Sequence, residues 1–482
     1  MEARSPGAEG PAPGAEPPRR ALHGLFFFPR GGSSQVVRAL AGNLPALGWD
    51  ASVAAGSLGD PGALGHAATF FAGLPVEAVD YTPAAGLADP LAAPVPFQPS
   101  FEDRPGSPDR VAAAVPDAPY ERLVAAWADA LRRSDAGAAD VLHLHHLTPI
   151  HEAALRTVPS VPRVTHLHGT ELAMLRAIEA GAPPGWDHAA AWRDRMRRWA
   201  AASALLVSAQ TDVDELAHLL GVPARRFATI GNGVDTDTFD RRPLRGDDRV
   251  ALWRRWLVEE PRGWAPGGDA GSVRYREEDL AAFAADAPVT LYVGRYTDVK
   301  RVPWLIEAHS EASRGFARRS PLVIVGGYPG EWEGEHPLET VRRTGARDVF
   351  LAGWHGHDDL PLALAAADAL VLPSRHEAFG IVLIEAMASG IPVIACRVPG
   401  PADIVEDGDT GWLVPDGDTG ALGAALADVV NRPEERARRG DVAYTRSRAR
   451  YGWGATAARI AALYRTVAGD RDGARAAAGD SA

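Results

Sequence analysis

The sequence predicts an α/β protein of two doubly wound domains, each a parallel sheet with helices on both faces. Three observations carry this. Short apolar runs alternate with helical stretches in both halves, the pattern of parallel strands buried on both faces. A chain of 482 residues exceeds what one hydrophobic core organises. Between the halves, residues 240–287 gather charges and tryptophans without that alternation.

The elements follow in order. Residues 1–20 are rich in Pro, Gly and Ala, lack the apolar stretch of a signal peptide, and read as a disordered tail, as do residues 471–482. In the first domain, 21–240, "ALHGLFFFPRGGSSQVVRALAGNLPALG" gives a strand, a glycine loop and a helix starting near Ser33 or Ser34, with Gly48 as its stop. Further strands are "ASVAAGS", "DVLHLHHL", "PRVTHLHG" and "ALLVSA", with helices at about 120–134 and 211–220. Residues 186–203 put Trp192, Met196, Trp199 and Ser203 on one helical stripe, with arginines elsewhere. Residues 81–119 hold nine prolines and read as a functional or disordered loop. Residues 241–287 read as an interdomain segment with an insertion. The second domain, 288–440, runs through "APVTLYVGRY", "SPLVIVGG", "DVFLAGW", "ALVLPS", "IPVIACR" and "GWLVPD". A helix at 441–470 is expected to pack back toward the first domain.

Composition narrows the function. The chain is 46% hydrophobic, and no run of 18 or more apolar residues could span a membrane. A net charge of −12 argues against a general nucleic-acid binder. The single cysteine, Cys396, precludes an internal disulfide and fits a cytoplasmic location; its apolar run makes it a small core residue. Lys300 is the only lysine among 50 Lys and Arg residues, which draws attention to its position.

Several segments offer chemistry at strand ends, where doubly wound sheets bind ligands. Gly31 and Gly32 sit between a strand and a helix, suited to backbone approach by an anion; a simple tight turn is the alternative. "VIVGGYPG" lacks a full dinucleotide fingerprint, and no G-x-x-x-x-G-K-S/T loop of P-loop kinases and ATPases is present. In "YVGRYTDVKR", Arg295 and Lys300 lie five residues apart just past a strand, a forked donor and a compact charge suited to a diphosphate. The alternative is a solvated basic turn. "THLHGTEL" places His168 at a strand end with Thr170 as N-cap of the next helix; a buried structural histidine is the alternative. "HLHH" and "HGH" raise the question of zinc. On a strand His143 and His145 share a face, His146 points away, and no further ligand cluster is visible, so no metal is expected.

"SRHEAFGIVLIEAMASG" is the most informative stretch. Between Glu377 and Arg397 the only charged side chain is Glu385, and a buried carboxylate without a partner costs several kcal/mol. The stretch reads as a loop holding Glu377 and a helix holding Glu385, closed by Gly390. The amides of Phe379, Gly380, Ile381 and Val382 would lie near the helix N-terminus. Donors for a polar ligand and two acceptors for hydroxyls, beside a diphosphate site, describe a nucleotide sugar.

Together these segments resemble retaining glycosyltransferases of family 4, which have the GT-B fold of two facing Rossmann-like domains. The matching motifs are Glu377-x7-Glu385, Arg295-x4-Lys300, "HGTE" with His168, "GNGVD" with Phe239, "GWLVPDGD", and the N-terminal glycine loop. The resemblance covers about residues 21–470. It implies that Arg295, Lys300, Gly31 and Gly32 hold the diphosphate. Glu385 takes the ribose hydroxyls, Glu377 and the backbone of Phe379 to Val382 hold the transferred sugar, and His168 contacts that sugar from the other domain. His168, Glu377, Arg295 and Lys300 would be the catalytic set. It further implies hexosyl transfer from a UDP- or GDP-sugar to a small molecule or glycan, with no cofactor or obligatory metal. A membrane-lipid or polysaccharide acceptor, or a non-catalytic nucleotide-sugar sensor, are the alternatives. The arginine-rich 186–203 helix is the one membrane-surface candidate, and core packing explains its stripe more simply. The chain departs from the family at Arg301, where glycine is common. In the proline-rich segment, Glu102, Asp103 and Arg104 are expected to form an acceptor-side lid.

Overall fold

The computed structural model describes residues 18–29, 31–102, 110–209, 212–283, 287–377 and 379–479. Two all-parallel sheets carry the fold. The first contains β1 (Arg19–Leu25), β2 (Trp49–Ser57), β3 (Val76–Asp80), β4 (Val141–His145), β5 (Arg163–Leu167), β6 (Leu205–Ser208) and β7 (Phe227–Thr229). Its spatial order is β3-β2-β1-β4-β5-β6-β7. The second contains β8 (Thr290–Val293), β9 (Leu322–Val325), β10 (Val349–Gly353), β11 (Ala369–Leu372), β12 (Val393–Cys396) and β13 (Gly411–Val414). Its order is β10-β9-β8-β11-β12-β13. Order reverses between β1 and β4 and between β8 and β11, and a crevice at the strand C-termini forms at such switch points.

Four apolar clusters fill the two faces of the two sheets. Trp192, Met196 and Trp199 of the helix Ala189–Ala202 are buried on the first sheet, each contributing about 1.5–3 kcal/mol of burial. The stripe is core, and the helix's apolar face is not available to a membrane. Among the described residues no helix is long and apolar enough to cross a membrane.

Two segments carry more packed structure than their composition suggests. In the interdomain segment read at 241–287, described residues pack on the second domain. The helix Gly246–Arg254 runs on through one wider turn, Arg255–Glu259, and Trp253, Trp256, Leu257 and Phe283 are buried against the second sheet. The tryptophans that disguised the pattern are what anchors it. Buried Arg249 pairs there with Asp368, whose Oδ2 also accepts the Val289 N–H at 2.9 Å. The proline-rich segment is likewise packed over most of its length: Phe97, Phe101, Val111 and Val115 join the first core, and Ser100 bridges to Val111. Asp103 and Arg104 lie outside the described residues.

The chain crosses between the domains twice, side by side. The Val234 N–H donates to the Tyr451 carbonyl at 2.7 Å, and the Trp453 N–H donates back to Val234 at 3.2 Å. The helix Trp453–Gly479 then lies on the first sheet, burying Ile460, Tyr464 and Val467 with Val36, Leu40 and Trp49. Gly233 is required at this crossing, because a Cβ would come within 2.4 Å of the Trp453 ring.

Candidate active site

Lys300 follows β8 through a turn in which its N–H donates to the Thr297 carbonyl at 2.9 Å. Its ammonium contacts the Glu377 carboxylate, and both side chains are mostly buried. The next residue, Arg301, has φ of 51°, the left-handed region where the family's glycine would sit without strain. Arg301 tolerates it through partners. Its guanidinium pairs with Asp416 at 2.5 Å, donates to the Pro373 carbonyl at 3.0 Å, and lies 4.3 Å over the Trp304 ring. It also approaches the Cys396 sulfur at 3.2 Å. Burial pushes that thiol up to about 11, as expected of a core cysteine.

Arg295 reaches across the cleft. Its two terminal nitrogens meet both oxygens of Glu102 at 3.0 and 3.4 Å. Desolvation works against the guanidinium charge, and the Glu102 carboxylate outweighs it and holds the group above its ordinary value. Glu102 therefore lies on the diphosphate-binding candidate itself.

Glu377 occupies the loop after β11, and Glu385 the fifth position of the helix Ile381–Ala388. Gly380, with φ of 98°, is that helix's N-cap, and Gly390, with φ of 79°, follows its end. Glu385 is 5% exposed and has a protein partner that sequence reasoning missed: its Oε1 lies 2.8 Å from Nε2 of His357. Burial works against a charge on His357, but the hydrogen bond and charge of Glu385 overcome it and raise its pKa. Phe239 meets the same imidazole edge-on at 5.4 Å. The motif "HGH" contained this partner, but zinc spacing was the wrong question to put to it.

A raised histidine pKa fixes the sign of a pH effect. The stabilisation from the His357–Glu385 pair is fully present below the unfolded-state value of about 6.5, and is lost as pH rises through the higher folded-state value. Unfolding midpoints measured across that window should fall with pH in the wild type. His357→Gln should remove this component.

The first domain supplies the opposite wall. The helix Gly32–Asn43 begins at Gly32 with Gly31 as N-cap. A Cβ on Gly32 would lie 3.6 Å from Ile381, so the glycine loop faces the start of the Glu385 helix, while the space around Gly31 is open. Gly231 of "GNGVD" has no room for a Cβ, which would come within 2.8 Å of the Phe379 ring. His168, Asn232 and Phe379 line one small cavity of about 20 Å³ between these elements. Ile381 packs with both domains' clusters, and Val382 with the second.

His168 lies just past β5. Thr170 is not the N-cap of the helix Thr170–Glu179; Gly169 is, without a side-chain cap, and the Glu171 carboxylate reaches back to accept the His168 N–H at 2.8 Å. The other Glu171 oxygen meets Nδ1 of His146 at 3.0 Å. The absence of a further histidine cluster is also corrected. His23, His143, His145, His166 and His168 stand on one face of the sheet, because β1 pairs His23 with His143 and β4 pairs His145 with His166. Two triads within this group have ring nitrogens within 4.8 Å of one another. The rings are stacked, however: His143, His145 and His168 lie 10–19° from the plane of His166. Some of their nitrogens lie within hydrogen-bond distance of one another, and an ion would compete for those.

Known proteins resemble this chain in sequence and fold. Residues 30–238 match the family model described as Glycosyltransferase Family 4, and residues 276–446 that described as Glycosyl transferases group 1. The chain is 36% identical over 279 residues to D-inositol 3-phosphate glycosyltransferase 2 of Catenulispora acidiphila, covering 55% of this chain and 56% of the relative. It is 34% identical over 183 residues to alpha-D-kanosaminyltransferase of Streptomyces kanamyceticus, covering 38% of this chain and 46% of that one. The chain thus spans about half the length of these curated relatives. The crystal structure of Anabaena HepE in complex with UDP and glucose superposes with a TM-score of 0.62 at 17% identity, over 93% of this chain and 100% of that one. The two sheets form a GT-B fold, and the chain's two parts match the family models Glycosyltransferase Family 4 and Glycosyl transferases group 1.

Proposed function

We propose that this protein transfers a hexosyl group from a UDP- or GDP-sugar to a hydroxyl of a small-molecule acceptor, retaining anomeric configuration and needing no metal. One observation carries the reading: the chain's only lysine meets Glu377 beside the N-terminus of the Ile381–Ala388 helix, opposite the glycine loop. In use, Lys300 and Arg295 stabilise charge on the departing diphosphate as the bond from the anomeric carbon to the phosphate oxygen breaks. The acceptor oxygen bonds to that carbon, and its proton passes to the leaving phosphate. Glu377 and His168 hold the sugar from the two domains. Glu385 keeps Oε2 without a hydrogen-bond partner among the described residues, for ribose hydroxyls. The relatives named for D-inositol 3-phosphate favour a cyclitol-type acceptor over a membrane lipid, while the relative named for kanosaminyl transfer names only the group transferred.

The test is thermal-shift screening against UDP-, GDP-, ADP- and dTDP-sugars, then product analysis by NMR with cyclitol and aminoglycoside acceptors. Ligand at 100 times its Kd stabilises the native state by about 2.7 kcal/mol. Stabilisation by none of the four would sink the reading, and a β-linked product from an α-linked donor would overturn retention.

Glu102 gives a second check. The Arg295–Glu102 pair is partly exposed, so it is worth about 1 kcal/mol or less. A diphosphate must displace it, so Glu102→Gln should tighten UDP binding by up to about fivefold in calorimetry. Weaker binding would instead place Glu102 among the ligand-holding groups.

A further inference from the structure

The histidine stack is a connected chain as well as a pile of rings. His168 Nε2 lies 3.0 Å from His145 Nδ1, and His145 Nε2 lies 3.3 Å from His23 Nδ1. His23 Nε2 lies 3.4 Å from the Tyr464 hydroxyl, which lies 2.5 Å from His143 Nδ1. The chain therefore runs from the cleft, through the buried face of the first sheet, to the helix Trp453–Gly479. His143, His145 and His23 are fully buried, and burial drives their pKa values, like that of His168, far below the ordinary range. All four imidazoles are neutral at working pH. Each then has one N–H and one lone pair, and the tyrosine has one O–H.

Such a chain keeps a proton in every link and uses the tyrosine O–H within it in only two ways, running in opposite directions; a third, with Tyr464 accepting from both neighbours, strands its O–H. The far end chooses between them. His143 Nε2 is buried and has no hydrogen-bond partner. If it carried the proton, an N–H would be stranded in an apolar wall, the rarer and costlier kind of orphan; left bare, it strands only a lone pair. The second direction therefore prevails. His143 Nδ1–H donates to Tyr464, Tyr464 O–H to His23 Nε2, His23 Nδ1–H to His145 Nε2, and His145 Nδ1–H to His168 Nε2. His168 must then carry its own proton on Nδ1, which has no partner among the described residues and is not fully buried.

We propose that His23 and His145 are positioning residues that fix His168 as its Nδ1–H tautomer, so that the cleft is presented with a neutral hydrogen-bond donor for a hydroxyl oxygen of the transferred sugar. The sugar's identity as the partner rests on the function proposed above. The tautomer does not. A metal is the competing use of these rings, and it would have to break the same links.

Nitrogen-15 NMR of histidine-labelled protein tests this, with His168 assigned by the signal lost in His168→Gln. The wild type should show His168 protonated on Nδ1. Tyr464→Phe makes His23 Nε2 the apolar dead end, where the same rule keeps a lone pair, so His168 should stay protonated on Nδ1. His23→Gln offers His145 Nε2 an amide that can donate or accept, so the direction is no longer imposed and His168 should become a mixture of tautomers. In turnover assays His23→Gln should lower kcat about fivefold or more and leave the donor KM within about twofold, as expected for one lost oriented hydrogen bond. A wild-type His168 protonated on Nε2 overturns the proposal, and so does an unchanged tautomer in His23→Gln whatever its melting temperature. Stoichiometric zinc that leaves with His145→Asn overturns it as well. The spectrum needs no turnover, so a protein that transfers no sugar would fail the function above and still leave the relay decided.

Discussion

Replacing Lys300 by glutamine should lower kcat/KM for sugar transfer by about 10²–10³-fold, the usual effect of removing one donor aimed at developing charge. Glutamine preserves most of the side chain's reach and loses only the charge. Arg295 is already engaged by Glu102 at 3.0 Å, so it cannot take over the diphosphate without giving up that pair. The loss should appear mainly in kcat, because charge on the leaving diphosphate grows toward the transition state. Steady-state kinetics with the best donor from the screen checks it. Activity within threefold of wild type would remove Lys300 from the mechanism.

The largest expected effect on stability lies away from the cleft. Asp368→Ala should destabilise the protein by about 3–5 kcal/mol, because it leaves an uncompensated charge inside. The charge is Arg249, 2% exposed, whose Nε donates to the Ala366 carbonyl at 3.0 Å while its terminal nitrogen contacts Asp368. The Val289 N–H at the start of β8 loses its acceptor in the same substitution. Urea unfolding followed by tryptophan fluorescence reads the change, with Trp253 close in sequence to Arg249 as a reporter. A loss under about 1 kcal/mol would mean that water or Arg249 itself relaxes into the gap.

These two residues also show what the sequence made legible. Lys300 stood out because it was the only one of its kind and lay just past an apolar run. That run was readable as a strand because strands covered on both faces carry few polar interruptions. Arg249 and Asp368 were not readable. They lie 119 positions apart, and the tryptophans around Arg249 follow no single period. The same limit applies at the site. Positions on one strand, such as His143 and His145, were assigned a common face correctly. That β1, β4 and β5 are adjacent, and in which register, is a matter of topology, so the five-histidine stack was invisible. Glu385 was recognised as a carboxylate needing a partner, but the partner was sought in a ligand and is also supplied by His357 from the loop after β10. The packing of two segments, 81–119 and 241–287, was not legible, because their prolines and tryptophans follow no single period while their neighbours fill cores.

The returning helix has a consequence for how the protein is made. The Tyr464 hydroxyl and His23 are 441 positions apart, and the helix bearing Tyr464 covers an apolar face of the sheet that β1 begins. A ribosome adding roughly 5–20 residues per second finishes the first sheet's strands long before that cover exists. Through that interval the face waits with its histidines open to water and no tyrosine to link them. The N-terminal sheet is thus covered only after the whole second sheet has been made, by a helix that follows it in the chain.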